Sequence, residues 1–243
     1  MEPTAILILL AIVVVAVLYS SVGHGGASGY LAVMALLAVE PSITRPTALV
    51  LNLFVASIAS YQFYRAGHFS WKIFWPFAAT SIPCAYLGGA IHLPTHIYQL
   101  VLGLVLLFAA VRLAWSFSRD AEIRRPAFGI ALAVGAVIGV VSGMVGVGGG
   151  IFLTPILLLL NWSDTKTAAG VSALFILVNS ASGLLGNYRQ ASLLPTDAWL
   201  WVGAAVVGGL VGSTLGARRF DSLTLRRLLA LVLFFAGVKL IFV

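Results

Sequence analysis

GHGGASG at residues 23–29 follows an almost unbroken apolar run from Ala5 to Leu18, and VGVGGG at residues 145–150 closes another such run about 120 residues later. Four glycines in seven residues would weaken any helix in water. Both stretches nevertheless sit in what reads as the inside of a membrane, and each is followed directly by a short apolar segment, 29–39 and 151–161. How the chain passes through these two points decides its fold.

Outside the two stretches the composition is that of an integral membrane protein. The 243 residues are 61% hydrophobic and 9% charged, with a mean hydropathy of +1.08, against about 25% charged residues in a soluble domain. The 14 Lys and Arg against 7 Asp and Glu give a net charge of +7. These basic residues lie in short loops between apolar runs, which is an orientation pattern and excludes a nucleic-acid partner. Cys84 is the single cysteine, so neither an intrachain disulfide nor a cysteine-based metal centre is expected. The first run reads as a retained span, because MEPT ahead of it carries Glu2 and no Lys or Arg, and no cleavage boundary follows.

A helix crossing the bilayer needs about 20 apolar residues. Eight full-length candidates meet this at 4–22, 47–64, 71–91, 97–115, 128–145, 168–187, 198–217 and 224–242. The two short segments are either tilted crossings or re-entrant half-helices. If each returns the chain to the side its preceding helix came from, Arg65, Lys72, Arg112, Arg119, Arg124, Arg125, Lys166, Arg218, Arg219, Arg226 and Arg227 share one side. Only Arg45, Arg189 and Lys239 fall on the other. Lys and Arg in short loops stay on the cytoplasmic side, so the split puts both termini in the periplasm of a bacterial inner membrane.

The chain also repeats itself. A shift of 123 or 124 residues brings VGHGGA at 22–27 onto VGVGGG at 145–150, and Tyr64-Arg65 onto Tyr188-Arg189. A shift near 128 brings Leu87-Gly88 onto Leu215-Gly216, Gln99-Leu100 onto Arg227-Leu228, and Val111-Arg112-Leu113 onto Val238-Lys239-Leu240. The expected fold class is therefore all-α: a polytopic membrane protein of two repeats, 1–118 and 128–243, joined by a charged cytoplasmic linker at 119–127. Five membrane segments per repeat is an odd number, so the second repeat is inverted with respect to the first, as in many secondary transporters.

Non-helical backbone at membrane depth survives only where it is buried in protein or lines a polar cavity. A helix beginning just after such a loop presents unpaired amides and the positive end of its dipole, and both favour an anion. The candidate substrate-binding residues are Gly23, His24, Gly25, Gly26 and Ser28 in the first loop, with Gly146, Gly148, Gly149 and Gly150 in the second. Asn52, Asn179 and Ser172 supply polar side chains within nearby apolar runs, where buried amides and hydroxyls must find partners. Ser57, Ser60, Ser180 and Ser182 add further hydroxyls, which small-residue packing explains equally well. A nucleotide phosphate loop is excluded, because GVGGG lacks the Gly-Lys-Ser/Thr ending. Gly208, Gly212 and Gly216 have the spacing of a helix-packing stripe.

His24 holds a titratable ring in the first loop, where the second has Val147; it is placed either to exchange a proton or to bind a carbonyl freed by the helix break. The clear spans carry no central Asp or Glu, so coupling through His24, through substrate protonation, to sodium, or to nothing all stay open. Arg45 and Arg189 are expected at the outer mouth, where they would collect anions. His68, His92 and His96 offer no metal-ligand spacing, and no cofactor is expected. Trp71, Trp75, Trp115, Trp162, Trp199 and Trp201 fall near span ends, as interfacial belts require.

Together these stretches resemble the TauE/SafE family of sulfite-exporter-type membrane proteins. The resemblance is carried by VGVGGG followed by IFLTPIL, then TAAGVSALF, GSTLGARRF and LRRLLALVLFFAGVKLIF, and it covers nearly the whole chain. It implies secondary movement of a small sulfur-containing anion, such as sulfite or an organosulfonate, outward across the inner membrane. The first repeat departs from the family pattern: Gly29-Tyr30 stands where the second repeat has Leu153-Thr154, and Ala48 stands opposite Ser172. The resulting expectation is a non-enzymatic carrier. An ion-coupled importer, a carrier of another small anion such as a carboxylate, and a non-transporting subunit of a membrane complex are the alternatives.

Overall fold

The computed structural model of the chain describes residues 3–37, 39–91, 93–114, 123–124, 126–191, 194, 198–218 and 223–242. Much of the linker at 119–127 lies outside the described residues, as do Trp115, His92, Arg119, Arg125, Arg219 and the side chains of Arg112, Arg226 and Arg227. The described residues form helices and no strand. In chain order the helices are α1 (Pro3–Ser20), α2 (Ala27–Leu36), α3 (Pro41–Arg65), α4 (Trp71–Ala90), α5 (Thr95–Ala114), α6 (Phe128–Val145), α7 (Gly150–Leu159), α8 (Thr165–Gly186), α9 (Tyr188–Ala191), α10 (Ala198–Arg218) and α11 (Leu223–Phe242).

Each run expected to span the membrane is helical over most of its described residues. Among the described residues, four stretches are long and apolar enough to cross by length and composition: Ser42–Arg65, Phe128–Val145, Thr165–Gly186 and Ala198–Gly216. The segments after the glycine loops are α2 and α7, each of 10 residues. At 1.5 Å per residue that is about 15 Å, roughly half the hydrocarbon thickness.

The most extensive helix contacts among the described residues join the first five helices to the later ones: α4 to α6, α5 to α11, α1 to α10, and α3 to α8. Under the repeat expected from the sequence, the α4–α6 and α10–α1 pairs would exchange, while α3–α8 and α5–α11 would map onto themselves.

Glycine stripes make the two exchanged pairs possible. On α6, a Cβ at Gly135, Gly139 or Gly143 would strike the carbonyls of Phe77, Ser81 and Ala85 on α4. On α10, a Cβ at Gly208, Gly212 or Gly216 would strike those of Val13, Val17 and Ser21. Lipid gives helices no hydrophobic reason to associate, so this close backbone approach is what holds such a pair together. The stripe expected at 208, 212 and 216 is therefore a packing surface.

Apolar side chains such as Leu10, Phe108, Val137, Trp199 and Phe235 point outward and are exposed, a surface that suits lipid and not water. Trp71, Trp75 and Trp199 share that exposure, whereas Trp162 and Trp201 are buried in protein contacts, which corrects their expected place in an interfacial belt. Trp162 packs against Phe77.

Candidate substrate site at the paired glycine loops

Both loops break the helical path with left-handed glycines. In the first, Gly23 has φ 76° and Gly26 φ 95°, and the amide of His24 donates back to the Tyr19 carbonyl at 2.9 Å. In the second, Gly146, Gly148 and Gly149 have φ 87°, 73° and 82°, and the Gly146 amide donates to Ser142 at 2.8 Å. Any residue with a Cβ pays for this conformation. Gly26 and Gly149 are the N-caps of α2 and α7, and neither helix start receives a side-chain cap.

The two loops meet at one amide. A Cβ placed on Gly25 would lie 2.5 Å from Asn52 Oδ1, and one on Gly148 would lie 2.8 Å from Asn52 Nδ2. Ile176, the counterpart of Asn52 at a shift of 124, touches both: its Cγ2 is 3.0 Å from the first of these positions and 2.8 Å from the second. Asn52 is the twelfth of the 25 residues of α3 and Ile176 the twelfth of the 22 of α8, so the loops converge about halfway along the two long helices. Asn52 is fully buried. Its Nδ2 donates to Ser180 Oγ at 3.3 Å, while its Oδ1 has no hydrogen-bond partner.

The other candidate residues divide between this centre and its scaffold. Asn179 is fully buried too, but its Nδ2 donates to the Phe175 carbonyl of its own helix at 2.8 Å. The partner of Asn52 is thus Ser180. Ser172 accepts from Thr154 Oγ1 at 2.7 Å, which fastens α7 to α8. Ser28 donates to Tyr19 Oη at 3.0 Å. His24 Nδ1 lies 3.1 Å from the Val22 carbonyl, and its ring meets Tyr19 edge-on at 6.4 Å, so the histidine is built into the loop. Gly23, Gly25, Gly26, Gly146, Gly148, Gly149 and Gly150 are all buried. Sequence reasoning missed Tyr19 and Tyr30, the two phenols that flank the first loop.

Arg45 does not stand at an open mouth. It is 5% exposed, with Nη1 donating to the Ile91 carbonyl at 3.0 Å and Nη2 to the carbonyls of Gly88 and Gly89. A cation there satisfies carbonyls and the negative pole at the end of α4. Lys239 does the same for α2, donating to Ala35 at 3.1 Å and Leu36 at 3.0 Å. Arg189 is exposed on α9, with its Nε 3.2 Å from Tyr188 Oη. Among the described residues no group of three His, Cys, Asp or Glu side chains is placed to hold a metal.

The family model described as "Sulfite exporter TauE/SafE" matches residues 8–240. A relative from Sinorhizobium fredii, "Probable membrane transporter protein y4hK", is 39% identical over 246 residues, spanning 99% of this chain and 100% of its own. "Probable membrane transporter protein YjnA" of Bacillus subtilis is 26% identical over 238 residues, 90% of this chain and 92% of its own. A second Bacillus subtilis relative, "Probable membrane transporter protein YunE", is 28% identical over 116 residues, 46% of this chain and 41% of its own. No solved structure matches the chain. A helical, multi-pass architecture built on two interrupted helices, with relatives of this kind along its whole length, is that of a membrane transporter. The chain belongs to the sulfite exporter TauE/SafE family.

Proposed function

We propose that this transporter is an alternating-access carrier that exports a small sulfur-containing oxyanion, such as sulfite or an organosulfonate, across the bacterial inner membrane. The observation that carries the reading is the meeting of two uncapped helix N-termini around Asn52 and Ser180. First-turn amides of a helix have no intrahelical acceptor. Amides from α2 and α7, with Asn52 Nδ2 and the Ser180 hydroxyl, make a set of neutral donors that can replace the hydration shell of an anion without holding it too tightly to release. Gly23, His24, Gly25, Gly26, Ser28, Gly146, Gly148, Gly149 and Gly150 shape that site, and Ser172 and Asn179 support it from α8.

The proposed topology is a pair of inverted repeats with eight full crossings, two half-helices and both termini in the periplasm. Helix pairs that exchange under the repeat support it. So does the use found for two of the three basic residues on the periplasmic side: Arg45 and Lys239 each cap a helix C-terminus. Movement between two states would open the site to one side at a time, by rocking one repeat against the other.

The test is flux in proteoliposomes loaded with sulfite, sulfoacetate, thiosulfate or a small carboxylate. Saturable movement of the sulfur oxyanions, lost when Gly25 and Gly148 are both replaced by valine, is the expected result. Wild-type flux of the carboxylate alone would reject the substrate class. Sulfite flux that survives the double replacement would reject the site.

A further inference from the structure

The two interrupted helices are alike in backbone and unlike in what covers their starts. A Cβ on Gly149 would meet Phe175 Cε1 at 2.8 Å and Ile138 Cγ2 at 2.9 Å, so the N-cap of α7 is roofed by hydrocarbon. The same atom on Gly26 would meet Tyr30 instead, 2.7 Å from the phenolic oxygen. Helix geometry explains the placement: long side chains lean toward the N-terminus. Tyr30, fourth in α2, thereby lays its hydroxyl over Gly26, the residue that caps the helix start.

Tyr30 is fully buried, and its hydroxyl has no hydrogen-bond partner. Burying an unpaired hydroxyl is costly, and a phenylalanine would fill the same space without that cost. Tyr19 is the contrast. At similar burial its hydroxyl accepts from Ser28 Oγ at 3.0 Å, whereas the Tyr30 hydroxyl neither donates nor accepts. A phenol O–H beside first-turn amides and the positive pole of a helix is complementary to an oxyanion.

Resting on the carrier reading above, we infer that Tyr30 is a substrate-binding residue whose hydroxyl donates to an oxygen of the bound oxyanion at the start of α2. The start of α7, covered by Ile138 and Phe175, offers hydrocarbon at the corresponding place. The two helix starts therefore hold the oxyanion unequally, with the extra side-chain donor on the α2 side.

The experiment compares Tyr30→Phe and Tyr19→Phe with the wild type, by thermal unfolding of the purified protein without substrate and by sulfite and sulfoacetate flux in proteoliposomes. Tyr30→Phe is expected to melt at or above the wild-type temperature while its KM for sulfite rises on the order of tenfold, with a smaller change in maximal rate. Tyr19→Phe, which orphans Ser28, is expected to melt lower. A Tyr30→Phe protein that melts as low as Tyr19→Phe, or that keeps the wild-type KM, overturns the assignment alone. A wild type that moves neither anion removes the carrier reading, and this assignment with it.

Discussion

Replacing Gly148 with alanine tests whether the two loops are packed on Asn52. Gly148 has φ 73°, and a left-handed backbone costs an L-residue roughly 1–2 kcal/mol. The added Cβ would stand 2.8 Å from Asn52 Nδ2, Ile176 Cγ2 and Ser180 Oγ, where relaxed contacts are about 3.5–4.0 Å. These groups belong to two different helices, so no single rotamer change relieves all three. Overpacking of this kind costs about 1–3 kcal/mol, and the two terms together make roughly 2–5 kcal/mol. Gly67 supplies the control: it has φ 79° and nothing within 4 Å of its would-be Cβ. Gly67→Ala should therefore lose only the backbone term, roughly 1–2 kcal/mol, and keep transport. Equilibrium unfolding in mixed micelles measures the difference between the two variants, and proteoliposome flux reports whether the Asn52–Ser180 contact is needed. If Gly148→Ala unfolds within about 0.5 kcal/mol of Gly67→Ala and transports sulfite normally, the site is not built as described.

Gly212→Val should separate α10 from the Val17 carbonyl of α1 and destabilise the protein by about 1–3 kcal/mol, seen as a lower melting temperature in detergent. Arg45→Met removes the donors to Gly88, Gly89 and Ile91 and should cost about 1.5–3 kcal/mol, with Arg45→Lys recovering only part because an ammonium lacks the planar fork. Asp164 caps α8 by accepting from the amides of Lys166 and Thr167, both at 3.0 Å, so Asp164→Ala should cost about 1 kcal/mol. Burial pushes the Asp164 carboxyl up, but hydrogen bonds from Thr167 and the amide of Lys166 outweigh it and hold the carboxyl below its usual range. Its contribution should be complete above about pH 4 and fade as pH falls through the lowered value, so the stability gap between wild type and Asp164→Ala should close in acid.

Helix positions were legible because a membrane helix announces itself by length and polarity alone, and the glycine loops because few other sequences interrupt such a run. What the sequence concealed was rotation about each helix axis. Asn179 and Ser180 are neighbours separated by about 100° on α8, and only packing decides which of them faces Asn52. Arg45 was hidden for a different reason. Its partners are backbone carbonyls at Gly88, Gly89 and Ile91, and carbonyls carry no residue identity for a reader to notice. Tyr30 was visible as a difference between the two stretches that follow the glycine loops; its meaning came only from seeing that its hydroxyl reaches Gly26 and finds nothing to bind.

The α1–α10 pair sets a schedule for making the protein. The carbonyl ridge at Val13, Val17 and Ser21 is complete almost as soon as α1 is synthesised, yet the glycines that cover it lie on a helix beginning at Ala198, 178 residues after Ser20. At about 5–20 residues per second, α1 waits roughly 9–36 s for its partner. A ribosome stalled anywhere in that interval leaves an unmated groove in the bilayer. Closure of α10 onto α1 is thus among the last assembly events.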